Sequence, residues 1–127
     1  MIWISNEWKD YEVLDATKGE RLERWGKYFL VRPDPQVIWD TPRKNRLWRD
    51  FDARYSRSNT GGGLWTKLKS FPATWKIDYD SLGKKLTFII EPTAFKHTGL
   101  FPEQASNWDF IMSKITAAKR PVNVLNL

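Results

Sequence analysis

The stretch EPTAFKHTGLFPEQASNWDFI, residues 91–111, contains His97, the only histidine of the chain. A histidine can act as a general base or contact a substrate, because its charge changes near neutral pH. A hydrolytic triad is excluded, because His97 has neither a second histidine nor a nearby pattern of carboxylates. His97 is therefore either a secondary catalytic candidate, through proton transfer or a substrate contact, or a structural residue that hydrogen-bonds to backbone.

A group of polar residues follows His97 and leads into a predicted helix. Its members are Thr98, Gly99, Glu103, Gln104 and Asn107. Helical residues three and four apart lie on adjoining faces, and the free amides at a helix start suit an anion or a carboxylate. Ordinary capping is the alternative, with Thr98 and Gly99 in a turn and the amides of Gln104 and Asn107 solvated. Because a helix needs only one cap, the number of polar groups favours binding.

A basic window, residues 41–69, carries the whole net charge of +6. Basic side chains bind phosphates, and aromatic rings stack on unpaired bases. The basic residues interleaved with Trp48, Phe51 and Tyr55 are Arg43, Lys44, Arg46, Arg49, Arg54 and Arg57. The pattern favours contact with RNA, with Trp48 as a contributor. The alternative is a solvated loop whose aromatic rings join the core.

The composition is that of a single globular domain. The 127 residues are 41% hydrophobic and 28% charged, and the chain has no cysteine. Disulfides, thiol nucleophiles and thiolate metal sites are thereby excluded from this chain, and we expect no metal site. No window approaches the ~18 apolar residues of a membrane span, and the N-terminus lacks the pattern of a signal peptide. We therefore expect no membrane contact and a cytoplasmic location.

Short strands are predicted through residues 1–92. YEVLDA is one, and GERLERWGKYFLVRPDP gives two more, separated at Gly26. QVIWD is a further candidate, and TWKIDY–DSLGKK–LTFIIEP has the pattern of a β-hairpin. The basic window is predicted to be a loop or flap, because of its Gly61–Gly63 run. We expect the seven tryptophans other than Trp48 in the core, since a small domain depends on such burial; a tryptophan-lined saccharide site is a further alternative.

An amphipathic helix is predicted from Pro102 to Lys119, because apolar residues recur there at steps of three and four. Pro102 suits its first turn, and Pro121 follows its end. VNVLNL then begins an apolar strand. Since a parallel sheet cannot be made from one strand, we expect residues 122–127 to begin a second domain that the chain does not complete.

Three separated segments together carry a family resemblance. YEVLDATKGERLERWGKYFLVRPDPQVIW, FKHTGLFPEQASNWDFI and VNVLNL resemble the N-terminal part of a family of class I SAM-dependent methyltransferases. That family is similar to the bacterial large-subunit ribosomal RNA methyltransferases. The resemblance implies that VLNL is the first strand of a Rossmann-like catalytic domain. The loop that cradles SAM follows that strand in the family and is absent from this sequence.

The residue patterns and the resemblance together predict a fold class and domain boundaries. The fold class is α+β: a small, mostly antiparallel β-domain, for which a barrel is one option, then one amphipathic helix and the first strand of a truncated Rossmann-like domain. Residues 1–92 are a substrate-recognition domain with basic loop 41–69, residues 93–121 a linker motif and helix, and residues 122–127 the first catalytic strand.

The resemblance also implies a function. The parent protein is expected to methylate ribosomal or other RNA using SAM, with its own missing C-terminal domain as partner of this chain. The residues implied to line the cofactor cleft are Thr98, Gly99, Glu103, Gln104 and Asn107. The isolated chain is expected to be inactive and to bind no cofactor. A free-standing nucleic-acid-binding β-module without catalysis is the alternative.

Overall fold

The computed structural model describes residues 2–127 and has an α+β fold, as predicted. Its regular elements are β1 (Tyr11–Thr17), β2 (Glu20–Trp25), β3 (Tyr28–Pro33), β4 (Ala53–Arg57), β5 (Gly63–Lys67), β6 (Trp75–Ser81), β7 (Lys84–Ile90) and α1 (Ala105–Ala118). Short 3₁₀ helices span Arg46–Trp48 and Pro102–Gln104.

The strands of residues 2–127 form two sheets and no closed barrel. The first sheet has the order β1-β2-β3-β4-β5, and the second is the hairpin β6-β7. All neighbours are antiparallel except β3 and β4, where Leu30 pairs with Ala53 in parallel. The predicted, mostly antiparallel β-domain is therefore confirmed, whereas its barrel-like form was wrong.

The hairpin predicted from TWKIDY–DSLGKK–LTFIIEP is confirmed as β6 and β7. Leu82 and Gly83 connect the strands with φ of 50° and 78°, the left-handed backbone that tight hairpin turns require. Ile77 and Tyr79 are buried on one face, and Phe88 lies opposite Ile77. This face packs on the rest of the core.

The core consists of two clusters on opposite sides of the first sheet's centre. The larger cluster has as its buried members Trp25, Leu30, Ala53, Ile77, Ile90 and Leu100. The smaller one contains Leu22, Val31, Trp48 and Phe51. Because β2 and β3 contribute to both clusters, these two central strands are covered on both faces.

The predicted helix begins as a 3₁₀ turn at Pro102 and continues as α1. The helix α1 ends at Ala118, and the next residue, Lys119, has a φ of 50°, outside the right-handed helical region. Pro121, two residues further on, cannot continue the helix. Trp108 stacks on Phe88 with ring centroids 4.8 Å apart, which holds α1 against the second sheet. Among residues 2–127, no helix has both the length and the hydrophobicity to cross a membrane.

Two sequence expectations for loops and strands were wrong. QVIWD forms no strand: the amides of Val37 and Ile38 donate to Asp34 and Gln36 in local turns, so they cannot form a ladder. The basic window is not one flap, because it contains β4 and β5. Tyr55 and Trp65 pair across these strands with ring centroids 5.4 Å apart, and this aromatic contact stabilises the hairpin.

Residues 122–127 form no strand within the described part of the chain. A strand needs a neighbour to satisfy its backbone groups, and none of the described strands lies beside this segment. Its role as the start of a second domain therefore stays a prediction. Trp3 and Trp39, expected in the core, are 63% and 48% exposed.

Candidate functional site

A buried ion pair lies at the centre of the region that joins the sheet to the linker. The Glu23 side chain is fully buried, and the guanidinium of Arg32 donates to its two carboxylate oxygens at 2.6 and 2.8 Å. The Tyr11 hydroxyl donates to the same carboxylate at 2.8 Å. Burial alone would raise the pKa of Glu23, but the hydrogen bonds and charge of Arg32 outweigh it and lower this pKa. Glu23 is therefore ionised at neutral pH.

Arg32 also connects the sheet to the linker. Its Nη1 donates to the carbonyl oxygen of Lys96 at 3.0 Å, and its guanidinium lies over the Trp25 ring at 5.1 Å. Burial would lower the pKa of Arg32, but its hydrogen bonds to Glu23 raise it, so its positive charge is retained. The linker is thus attached to a fixed charge in the core.

Residues 93–97 of the linker form a tight loop. The Thr93 amide donates to the His97 carbonyl at 3.1 Å, and the Glu91 amide donates to the Thr98 carbonyl at 3.0 Å. Two aromatic side chains of the first sheet hold the loop from outside. The Tyr55 hydroxyl donates to Ala94 and the Trp65 indole donates to Thr93.

A cleft of about 250 Å³ lies where the linker meets the β2-β3 hairpin, and we call it the linker cleft. Its ionisable lining comes from both sides: Arg21, Arg32, Asp34, Lys96, His97 and Glu103. The volume lies slightly below the range of ~300–1,000 Å³ typical of small-molecule pockets. The cleft therefore offers charges of both signs but lacks the volume of a complete cofactor pocket.

The structure divides the predicted cofactor residues among three environments. Glu103 lines the linker cleft, together with the secondary catalytic candidate His97. Thr98 is fully buried, and its hydroxyl has no hydrogen-bond partner among residues 2–127. Gln104 and Asn107 are exposed and hydrogen-bond to each other at 2.8 Å.

The remaining member of that set, Gly99, is exposed in a turn with φ of 85°. The start of the helix also differs from the sequence expectation. The amides of Gln104 and Ala105 donate to carbonyls of the preceding turn, and the Ser106 amide donates to the Ser5 hydroxyl. These three amides are not available to an anion in this structure.

The predicted RNA-contacting residues also separate into two groups. Arg43 and Arg54 both pair with Glu20 and lie over the rings of Trp48 and Phe51. Trp48 itself is only 4% exposed, and its indole donates to Asp15, so its ring offers no free face to a base. These contacts hold the segment between β3 and β4 against the first sheet.

The second group consists of exposed side chains that form no ion pair within residues 2–127: Lys44, Arg46, Arg49 and Arg57. Unpaired, hydrated cations remain available to phosphates. They form the solvent-accessible positive surface of the basic window, which we call the basic surface.

Two structural groups were missed by reasoning from sequence. One is the pair Glu23–Arg32. The other is Asp109 on α1, which accepts hydrogen bonds from Tyr79 at 2.6 Å and Ser81 at 2.7 Å. The sequence did contain a signal for the first. A two-residue turn after Trp25 places Glu23 opposite Leu30 and diagonal to Arg32, within reach of long side chains.

Among the described residues, no group of three or more histidine or acidic side chains is placed to hold a metal ion. A SAM site of the Rossmann type does not fit these residues either. Such a site needs a glycine-rich turn between a parallel strand and a helix. The run Gly61–Gly63 instead leads from β4 into its antiparallel neighbour β5.

The comparison with solved structures decides the class of protein that this chain is similar to. It matches the structure of a SAM-dependent methyltransferase from Agrobacterium tumefaciens with a TM-score of 0.80 and 32% sequence identity. The chain is similar to part of a methyltransferase. The match covers 91% of this chain and 36% of the matched chain, so the chain spans little more than a third of that methyltransferase. No protein-family model and no curated protein matches the chain.

Proposed function

We propose that this chain is the substrate-contacting part of a SAM-dependent methyltransferase that acts on RNA. The observation that carries the proposal is the match of 91% of the chain to a SAM-dependent methyltransferase at 32% identity. A shared fold of this extent with this identity supports a shared methyltransferase class. We further propose that the RNA is ribosomal. The support is the resemblance of residues 11–39, 95–111 and 122–127 to the family of methyltransferases named above.

The proposal places the SAM site outside residues 1–127. The glycine run of this chain joins antiparallel strands, and the linker cleft of about 250 Å³ is small for SAM, a nucleoside joined to an amino acid. Within the whole enzyme, the linker supplies one wall of the cofactor cleft. His97 and Glu103 already face a common cleft and are the residues best placed for that role.

The role in RNA contact depends on the basic surface. The chain carries a formal charge of +6, and the four side chains of the basic surface have no carboxylate partner among the described residues. Such side chains release counterions when they bind phosphates, which makes binding salt-dependent. We assign Arg43 and Arg54 no part in this role, because Glu20 neutralises part of their charge.

Calorimetry tests the first half of the proposal. S-adenosylhomocysteine is titrated into the 127-residue chain and into the complete product of the reading frame that contains it. We expect binding to the complete product and none to the 127-residue chain. A complete product that binds neither SAM nor S-adenosylhomocysteine would refute the methyltransferase proposal and favour a free-standing nucleic-acid-binding module.

RNA binding by the chain tests the second half. The double variant Arg46→Gln/Arg49→Gln should lower the slope of log K against log salt concentration by about 1.4, since each single-strand phosphate contact contributes about 0.7. Lys84→Gln/Arg120→Gln removes the same charge from exposed sites outside the basic window and should leave the slope unchanged. Equal slopes for the two double variants contradict the assignment of the basic surface.

A further inference from the structure

We propose that a cleft between the β4-β5 turn and the linker loop binds a phosphate of single-stranded nucleic acid, with an unpaired base against Phe95. We call it the turn cleft; its volume is about 280 Å³. This inference deepens the proposed RNA contact and rests on it. The residues that carry it are Arg57, Ser58, Phe95 and Lys96.

Both walls of the turn cleft are held in place by the fold. On the linker side, Tyr55 and Trp65 donate hydrogen bonds to the carbonyls of Ala94 and Thr93 at 3.1 and 2.7 Å. On the turn side, the Ser58 amide donates to the Gly62 carbonyl and closes the turn. A site whose walls are fixed before binding loses little entropy when a ligand enters.

The turn itself approaches the linker as bare backbone. Gly61 and Gly62 have φ of 93° and 72°, which side-chain-bearing residues rarely adopt. A Cβ on Gly62 would lie 4.0 Å from the Ala94 carbonyl oxygen. Glycine therefore keeps this side of the cleft free of side chains, so that a sugar–phosphate backbone can lie along it.

The charge of the turn cleft has one sign. Arg57 and Lys96 contribute two cations, and no acidic residue is part of the lining. Neither cation forms an ion pair among residues 2–127. A phosphate between them would relieve their mutual repulsion and gain two charge-assisted contacts.

The titration of Lys96 is consistent with this arrangement. Burial lowers the pKa of Lys96, and the nearby charge of Arg57 lowers it further, against an opposing effect of Asp34. The Lys96 carbonyl is held by Arg32, so the side chain starts from a fixed point of the backbone. Lys96 is therefore a cation whose local environment favours the arrival of an anion.

Phe95 supplies the contact for a base. It is an aromatic side chain on the rim of the cleft and is 61% exposed. Single-strand-binding proteins combine a positive groove with aromatic rings on which unpaired bases stack. Bases in a duplex are already stacked on their neighbours, so Phe95 selects for single strands. The presence of Phe95 next to two unpaired cations distinguishes this cleft from the rest of the basic surface.

The experiment measures fluorescence anisotropy of a labelled 12-nucleotide single-stranded RNA with the 127-residue chain at several salt concentrations. Arg57→Gln and Lys96→Gln should each lower the salt slope by about 0.7. Phe95→Leu should weaken binding roughly 5- to 100-fold without changing the slope, because stacking is not electrostatic. Lys84→Gln is the matched control and should match the unaltered chain. Circular dichroism establishes that each variant is folded.

The outcomes separate this inference from the proposed function. Unchanged slopes for Arg57→Gln and Lys96→Gln, with a reduced slope for Arg46→Gln/Arg49→Gln, overturn the turn cleft and leave the RNA role standing. No binding of RNA by the unaltered chain refutes the RNA role itself. Unchanged affinity of Phe95→Leu, or binding of a 12-base-pair duplex as tightly as the single strand, overturns the stacking of a base on Phe95.

Discussion

Replacing Glu23 by glutamine removes one charge of the buried pair and keeps the shape of the side chain. Glu23 is fully buried and the Arg32 side chain is 7% exposed, so the remaining guanidinium would be an almost unsolvated, unpaired charge. Breaking such a pair costs about 3–5 kcal/mol. Arg32 keeps its contacts to the Lys96 carbonyl and the Trp25 ring, so we expect the lower end of that range, about 3 kcal/mol.

The assay is urea unfolding of the chain, followed by tryptophan fluorescence at pH 7. Glu12→Gln is the matched control, because Glu12 pairs with Arg24 at 3.5 Å while its side chain is 58% exposed. A surface pair of this kind contributes about 0–1 kcal/mol. Equal free energies of unfolding for Glu23→Gln and Glu12→Gln would refute the structural role of the buried pair.

The same comparison gives a pH dependence. The pKa of Glu23 in the folded chain lies below its ordinary value of 4.5. Its charge therefore stabilises the fold above about pH 4.5, and this contribution is lost as the pH falls through the lowered pKa. The difference in unfolding free energy between the unaltered chain and Glu23→Gln should shrink below pH 4.5. A difference that stays constant from pH 7 to pH 3 contradicts this reasoning.

Two further substitutions test how the parts are joined. Asp109→Ala should lower the free energy of unfolding by about 2–4 kcal/mol, because the buried hydroxyls of Tyr79 and Ser81 lose their acceptor. If urea unfolding shows a loss below 1 kcal/mol, these hydrogen bonds do not hold α1 against β6. Gly63→Ala should cost about 1–3 kcal/mol, because its Cβ would lie 2.3 Å from the Ser56 carbonyl oxygen and 2.5 Å from the Tyr55 ring. Unchanged thermal stability of Gly63→Ala would show that this close approach is absent.

The local parts of the fold could be predicted from the sequence. Alternating apolar residues gave the β6-β7 hairpin, and the stripe through Trp108 gave α1. The β4-β5 hairpin was missed because its basic residues and glycines have the composition of a loop. The aromatic pair Tyr55–Trp65, which stabilises it, becomes evident only once the two strands are aligned.

The candidate site was predicted only in part, for a similar reason. Sequence pointed to the linker, and His97 and Glu103 do lie in one cleft. The direction in which Gln104 points depends on how the linker packs on the first sheet. That packing depends on the hydrogen bond from Arg32 to the Lys96 carbonyl, a contact between residues 64 positions apart that periodicity and composition do not encode.

The decisive measurement for an RNA methyltransferase is methyl transfer to RNA. The complete product of the reading frame is incubated with SAM labelled in its methyl group and with total RNA, and the label in RNA is counted. We expect labelled RNA, with less label for Arg46→Gln/Arg49→Gln and full label for Lys84→Gln/Arg120→Gln. No transfer to RNA by a folded product that binds SAM would contradict the proposed substrate.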